Sequence, residues 1–142
     1  MLTHPVQYLA PLFRELTARG EVDLTVLFAH RPTPEEQGIG FGVAFEWDVD
    51  VTSGFEHVWL ENRSRTAAKG TFASFDTPGV AREIRDRAFD VVLVQGWNTR
   101  SYWQAMRACW RRGIPVMVRG DSQLAPPRLP ARRAVSRLRY PV

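Results

Sequence analysis

The sequence predicts an α/β fold, a parallel β-sheet flanked by helices. Three observations predict it. The stretch Phe89-Asp90-Val91-Val92-Leu93-Val94-Gln95-Gly96-Trp97-Asn98 contains four consecutive apolar residues, three of them β-branched, and ends in a polar loop that holds a glycine. A run without polar alternation suits a strand buried on both faces, as in parallel sheets covered by helices. Ile114 to Val118 has the same character, again followed by a polar loop, Arg119-Gly120-Asp121-Ser122. Between these runs the apolar residues fall at helical spacing. Strands that alternate with helices imply right-handed crossovers.

In chain order, Met1-Leu2-Thr3 reads as the stub of a strand broken by His4-Pro5. Leu9, Leu12, Phe13 and Leu16 repeat at helical spacing, and Gly20 stops that helix. Val22 to Ala29 reads as a second strand. His30 to Gly42 is a loop rich in Pro, Gly and charge. Val43 to Val51 and His57 to Leu60 are extended candidates, with Ser53-Gly54 as a turn between them. Arg63 to Ser74 is weakly patterned. Asp76-Thr77-Pro78 opens a helix, with a capping side chain before a Pro in the first turn. Val80, Ala81, Ile84 and Ala88 give it one apolar side. Asn98 to Arg112 is a helix with Tyr102, Trp103, Met106, Cys109 and Trp110 inward, ended by Gly113. Ala131 to Tyr140 reads as a basic amphipathic helix stopped by Pro141.

With 142 residues, 44% hydrophobic and 24% charged, the chain has the length and composition of one globular domain. No apolar run reaches the roughly 18 residues of a membrane span, and no signal peptide is evident. Cys109 is alone, so no internal disulfide forms. A buried free thiol fits a reducing, cytoplasmic compartment. The first strand of a doubly wound sheet is central, yet here it has at most three residues, and the last helix leads to no further strand. The expectation is a chain truncated at both ends.

The net charge of +4 is uneven. Arg128, Arg132, Arg133, Arg137 and Arg139 lie in the last fifteen residues, which hold no acid. Without those five, fourteen bases face fifteen acids, so the body is near neutral. The basic tail, about residues 128–140, lacks interleaved aromatics for base stacking, which speaks against nucleic acid. An anionic membrane surface suits it better, as a peripheral contact, with a solvated helix face as the equal alternative.

Several motif matches fail on context. Asp48-Val49-Asp50 resembles a metal-binding Asp-x-Asp, but strand-like alternation would point both carboxylates to solvent. Gly38 to Gly42 is glycine-rich, but no strand leads into it, and it reads as a flexible flap. Asn62-Arg63-Ser64 fits a glycosylation sequon without meaning in a cytosolic chain. Arg119-Gly120-Asp121 sits at a strand end and is no adhesion motif. The scattered His and Cys residues form no zinc pattern, and no metal site is expected.

Ligands of open parallel sheets sit beyond the carboxyl ends of the strands. Three polar clusters fall there: Thr3-His4-Pro5-Val6-Gln7, Gln95-Gly96-Trp97-Asn98 and Arg119-Gly120-Asp121-Ser122. The candidate binding residues are His4, Gln7, Gln95, Gly96, Trp97, Asn98, Arg119 and Asp121. Amide, carboxylate and guanidinium groups supply the donors and acceptors that sugar hydroxyls need, and the C–H face of a pyranose packs on an aromatic ring. Gly96 and Gly120 allow close approach to the backbone. His4 reads as a base, a donor to an anionic oxygen or a contact at the start of the following helix, where an anion is favoured, and equally as a residue that stabilises the turn before Pro5. No catalytic residue is assigned.

These motifs carry a resemblance. Thr3-His4-Pro5-Val6-Gln7-Tyr8-Leu9-Ala10-Pro11-Leu12-Phe13, the strand-and-loop Phe89 to Trp97, Gly113-Ile114-Pro115-Val116 and Arg119-Gly120-Asp121-Ser122 together resemble the N-terminal domain of GT-B glycosyltransferases of the family-4-like group. The resemblance covers essentially the whole chain, as one domain. It implies a Rossmann-like fold that binds a glycan or lipid-linked sugar acceptor. It further implies a second Rossmann-like domain, absent from these residues, that holds a nucleotide-sugar co-substrate, with catalysis between the two and no metal or other cofactor. Many family members carry a His where Gln95 stands. Gln cannot shuttle a proton, though it can hydrogen-bond a hydroxyl. Three rivals stand beside this reading: a stand-alone carbohydrate-binding or regulatory module, a sugar-nucleotide epimerase and a flavodoxin-like signalling domain. Few ionisable residues in the cleft count against the epimerase, and the lack of an acidic cluster at the strand ends counts against the signalling domain.

Overall fold

The computed structural model describes residues 1–38, 42–44, 48–66 and 70–120. They form a mixed α/β arrangement of short parallel strand pairs and helices. Strand β1 (Thr25–Phe28) pairs in parallel with β2 (Glu56–Trp59), and β3 (Val92–Val94) pairs in parallel with β4 (Val116–Val118). Helix α1 (Ala10–Arg19) precedes β1, the short α2 (Pro34–Gly38) follows it, α3 (Val80–Arg87) precedes β3, and α4 (Arg100–Trp110) joins β3 to β4.

The N-terminal stub joins the two pairs. Leu2 N–H donates to the Leu27 carbonyl at 2.9 Å, and Ala29 N–H donates to the Leu2 carbonyl at 3.0 Å, a parallel bridge to β1. On the other side the Met1 amino group donates to the Leu93 carbonyl, and Gln95 N–H donates to the Met1 carbonyl at 3.2 Å. That exchange has the slanted pattern of parallel strands. The order across the sheet is therefore β2, β1, Met1–Thr3, β3, β4. The expected central position of the first strand is what the structure shows.

Alternation along the strands sends successive side chains to opposite faces. Leu2, Val26 and Phe28 face α1, where they pack with Leu9, Ala10, Phe13 and Phe55. Met1, Leu27, Ala29, Val92 and Val94 face α3 and α4, where they pack with Val80, Ile84, Tyr102, Met106 and Cys109. Gly20 adopts a left-handed φ of 64° and closes α1, as its position predicted. Gly113 does the same after α4, with φ 70°. Arg14 of α1 reaches the turn after Asp50, donating to the carbonyls of Asp50 and, at 3.1 Å, Ser53.

Several expectations are corrected. β3 is not buried on both faces: Leu93 is 38% exposed, because α1 lies over β1 and leaves the same face of β3 and β4 open. Val116 to Val118 is likewise half-exposed or exposed. Trp103 and Trp110 flank the buried stripe of α4 at 46% and 58% exposure and pack edge to face on each other, with ring centroids 6.4 Å apart. Thr77 does not cap α3. Pro78-Gly79 forms a turn first, Gly79 takes the capping position, and the Thr77 hydroxyl pairs instead with Ser101 inside the core. Ala81 and Ala88 are exposed. The second strand begins at Thr25 rather than Val22. The loop after His30 contains α2, whose first turn is capped reciprocally: Glu36 N–H donates to Thr33 Oγ1 at 3.3 Å, and Thr33 N–H donates to Glu36 Oε2 at 2.9 Å. The described part of Val43 to Val51 is not strand but bends. Most of the predicted flap and the whole basic helix lie outside the described residues.

Asn62 organises the segment before α3. Its Oδ1 accepts from Ser64 N–H at 3.0 Å and Asp76 N–H at 2.9 Å, and its Nδ2 donates to the Ser74 carbonyl at 3.1 Å. The residue that fits a sequon is thus a structural bracket. Among the described residues, no helix is long and apolar enough to cross a membrane.

Candidate functional site

Because the five segments are parallel and adjacent, their carboxyl ends leave the sheet along one edge. His30 N–H donates to the Thr3 carbonyl at 2.8 Å, which places His4 beside the end of β1. Gln95 follows β3 next to Met1, and Arg119 N–H donates to the Val94 carbonyl at 2.9 Å, which sets Arg119-Gly120 against the start of the Gln95 loop. The first two turns leave the sheet on one edge together with Arg119-Gly120, the described start of the third.

Each turn is held by named contacts. His4 Nδ1 lies 3.0 Å from Thr3 Oγ1, which fixes the ring and directs Nε2 away from that bond. The ring is open to solvent at its rim, yet enough protein surrounds it to press its pKa below the ordinary histidine value. Burial is the larger cause and the neighbouring His30 the smaller. His4 is therefore neutral near pH 7, able to donate from one ring nitrogen and accept at the other. His30 itself contacts Glu36 at 2.7 Å. Burial works to raise the Glu36 carboxyl, but the Thr33 N–H and His30 outweigh it, and its pKa falls.

The Gln95 loop turns through Gly96, whose φ of 128° lies in a region that a side chain rarely adopts. A Cβ there would stand 3.4 Å from Asn98 Oδ1 and 3.6 Å from the Tyr102 ring. Trp97 is half-buried, and its carbonyl accepts the Trp103 indole N–H at 2.8 Å. Gly120 lies against the Trp97 indole: a Cβ at Gly120 would come within 2.9 Å of Cη2 and Cζ3. The second and third clusters are thus in contact through the six-membered ring of the Trp97 indole and Gly120.

Of the predicted residues, His4, Gln95, Gly96, Trp97, Asn98 and Arg119 lie along this edge. Gln7 sits exposed in the turn leading to α1 and makes no hydrogen bond to the others. Asp121 lies outside the described residues.

Sequence reasoning missed two residues that shape the site, Tyr102 and Trp103. Burial pushes the Tyr102 phenol up, and hydrogen bonding with Thr3 pulls it partly back, so Tyr102 ties α4 to the first turn. Both residues stand in the first turns of the helix that follows the Gln95 loop, a position from which side chains reach back over that loop. A polar cavity of about 490 Å³ adjoins the rim through Pro5 and is lined also by Arg31, Gln37, Thr52, His57 and Trp59. Arg31 lies over the Trp59 ring at 5.6 Å. Gln37 Oε1 there is buried with no hydrogen-bond partner among the described residues.

Asp48 and Asp50 are exposed, as expected, but in bends rather than a strand. Asp50 Oδ1 accepts from Thr52 and Ser53 N–H, both at 2.9 Å, which holds its carboxyl well below the usual range. Among the described residues no group of three or more His, Cys, Asp or Glu is arranged to hold a metal ion. Chemically, the residues along the rim carry amide, imidazole and guanidinium groups and an indole ring, groups capable of directional hydrogen bonding and ring stacking. No family model matches the chain, and neither a curated protein nor a solved structure matches it.

Proposed function

We propose that this chain is the acceptor-side, Rossmann-like domain of a GT-B glycosyltransferase of the family-4-like group. It would bind a glycan or lipid-linked sugar, while a second domain would present a nucleotide-sugar donor. The observation that carries the reading is the meeting of Trp97 with Gly120 at the edge where His4, Gln95 and Arg119 also emerge. A sugar ring stacked on the indole would find amide and imidazole groups around its hydroxyls. Gln95 supports a binding role rather than a proton-shuttling one. Peripheral contact with an anionic membrane through the basic C-terminal residues belongs to the same proposal and suits a lipid-linked acceptor.

The test is titration of tryptophan fluorescence with oligosaccharides, with Trp97→Phe as the control that identifies the signal. Saturable quenching that vanishes in Trp97→Phe is expected. No saccharide-dependent change, or one that persists in the variant, refutes the site. Turnover of a labelled nucleotide-sugar by this chain alone would refute its assignment to the acceptor side, because stabilisation of the departing phosphate belongs to the other domain.

A further inference from the structure

The polar cavity beside the rim has a chemistry of its own. Its volume of about 490 Å³ lies within the range of small-ligand pockets, roughly 300–1,000 Å³. Arg31 and Gln37 come from the segment after β1, His57 and Trp59 from β2, and Thr52 from the bend before β2. The two strands run parallel with Phe28 opposite Trp59. Trp59 and Arg31 therefore stand at the carboxyl ends of the pair, where open parallel sheets receive ligands.

The wall is rich in unused donors. Arg31 is exposed, and its guanidinium lies over the Trp59 ring at 5.6 Å. The ring attracts the cation without occupying its N–H groups. Among the described residues Arg31 has no hydrogen bond or ion pair, and the Trp59 indole N–H has no acceptor. His57 Nδ1 lies 3.5 Å from the Phe55 carbonyl, which leaves Nε2 without a partner among the described residues. No carboxylate among those residues lines the cavity. Glu36 is engaged with His30 and the Thr33 N–H, and Asp50 with the Thr52 and Ser53 N–H groups. A guanidinium left unanswered in this way suits a carboxylate or phosphate, which accepts two parallel N–H bonds.

The remaining polar groups can accept. The Thr52 hydroxyl donates to Asp50 Oδ1 at 3.3 Å, so its own oxygen is left to accept. Gln37 Oε1 is buried with no partner among the described residues. No hydrogen bond there holds the amide, and its terminal torsion is soft, so it can turn oxygen or nitrogen to a ligand. Acceptors beside an unpaired guanidinium match hydroxyls beside an anion.

We infer that this cavity binds a sugar that carries an oxyanion, phosphate or carboxylate, with the anion on Arg31 and the hydroxyls toward Thr52 and Gln37. Pro5 belongs both to this wall and to the first turn of the rim. The bound sugar would thus be the charged unit of the proposed acceptor, and that last step alone rests on the rim reading.

Nitrogen-15 NMR of the indole N–H groups tests the inference, because Trp59 reports on the cavity and Trp97 on the rim. The chain is titrated with glucose 6-phosphate, glucuronate, glucose and inorganic phosphate. Saturable movement of the Trp59 signal is expected with a sugar anion, and the tighter of the two names the phosphate or the carboxylate. Glucose and inorganic phosphate bind about tenfold more weakly or worse, and Arg31→Gln costs a similar factor with Tm unchanged. A silent Trp59 signal, glucose or inorganic phosphate binding as tightly as the sugar anions, or affinity unaffected by Arg31→Gln each overturns the inference. Movement at Trp97 with Trp59 silent overturns it and leaves the rim reading standing. Movement at Trp59 that Arg31→Gln weakens supports it, whatever the oligosaccharide titration at Trp97 returns.

Discussion

The indole N–H of Trp103 donates to the carbonyl of Trp97 at 2.8 Å, so an exposed side chain on α4 anchors the backbone of the loop that follows β3. Trp103→Phe keeps an aromatic ring against Trp110 and deletes only this bond. Stability falls by about 0.5–1.5 kcal/mol in denaturant unfolding. If the loop forms the sugar site, saccharide affinity falls as well.

The Gly120–Trp97 contact makes a sharper prediction. Alanine at Gly120 places a methyl group within 2.9 Å of the indole, closer than real contacts allow, so the ring must move. Gly120→Ala shifts the Trp97 emission, read as the difference from a Trp97→Phe background. Tm changes little, because Gly120 is exposed, and if the loop forms the sugar site, saccharide affinity falls.

The Thr77 and Ser101 hydroxyls are both buried and bonded to each other, tying the turn before α3 to the first turn of α4. Removing one hydroxyl strands the other. Ser101→Ala and Thr77→Val each destabilise by about 1–3 kcal/mol. The double variant costs less than the sum, and a double-mutant cycle from urea unfolding gives that coupling.

Asn62→Ala removes one acceptor and one donor that together serve three backbone groups. A loss of about 2–3 kcal/mol follows from the three bonds. Exchange quickens first at the Ser64 and Asp76 amides, whose N–H groups lose their acceptor.

The buried amino terminus gives a pH dependence. Its pKa lies near 8.0 when unfolded and near 5 when folded. Between those values the unfolded chain binds the proton and the folded chain does not, so stability rises with pH across that window. It falls as pH drops from about 8 to about 5. His4, also depressed, adds in the same direction below its ordinary value. Acetylating the terminus removes the Met1 contribution, so urea midpoints at pH 5.5 and 8 draw closer together in the acetylated chain.

Much of the scaffold was legible because local chemistry decides it. Gly20 and Gly113 end helices where only a left-handed residue fits, and the apolar runs before Gln95 and Arg119 are strands. What was not legible depends on partners far away in sequence. No local pattern reveals that α1 covers β1 and leaves Leu93 open, or that the Thr77 hydroxyl prefers Ser101 to the end of its own helix. The inward stripe of α4 was placed correctly at Tyr102, Met106 and Cys109 and too widely at Trp103 and Trp110, because bulky aromatics at the border of a stripe can lie on the surface. Convergence of the rim was legible from strand order alone. The roles of Tyr102 and Trp103 were not, since they reach back over a loop from the next element.

The bond from Met1 to Leu93 spans 92 positions of sequence. A ribosome releases Met1 and Leu2 well before Leu93, yet they belong between two strands made far apart in time. Leu2 can join β1 once the first thirty or so residues have emerged, but its other flank must wait until β3 is synthesised. Such a closure is the long-range kind that slows folding. The midline of the sheet is therefore the last seam to be sewn, and a nascent chain arrested before Leu93 would expose half of an apolar layer to chaperones.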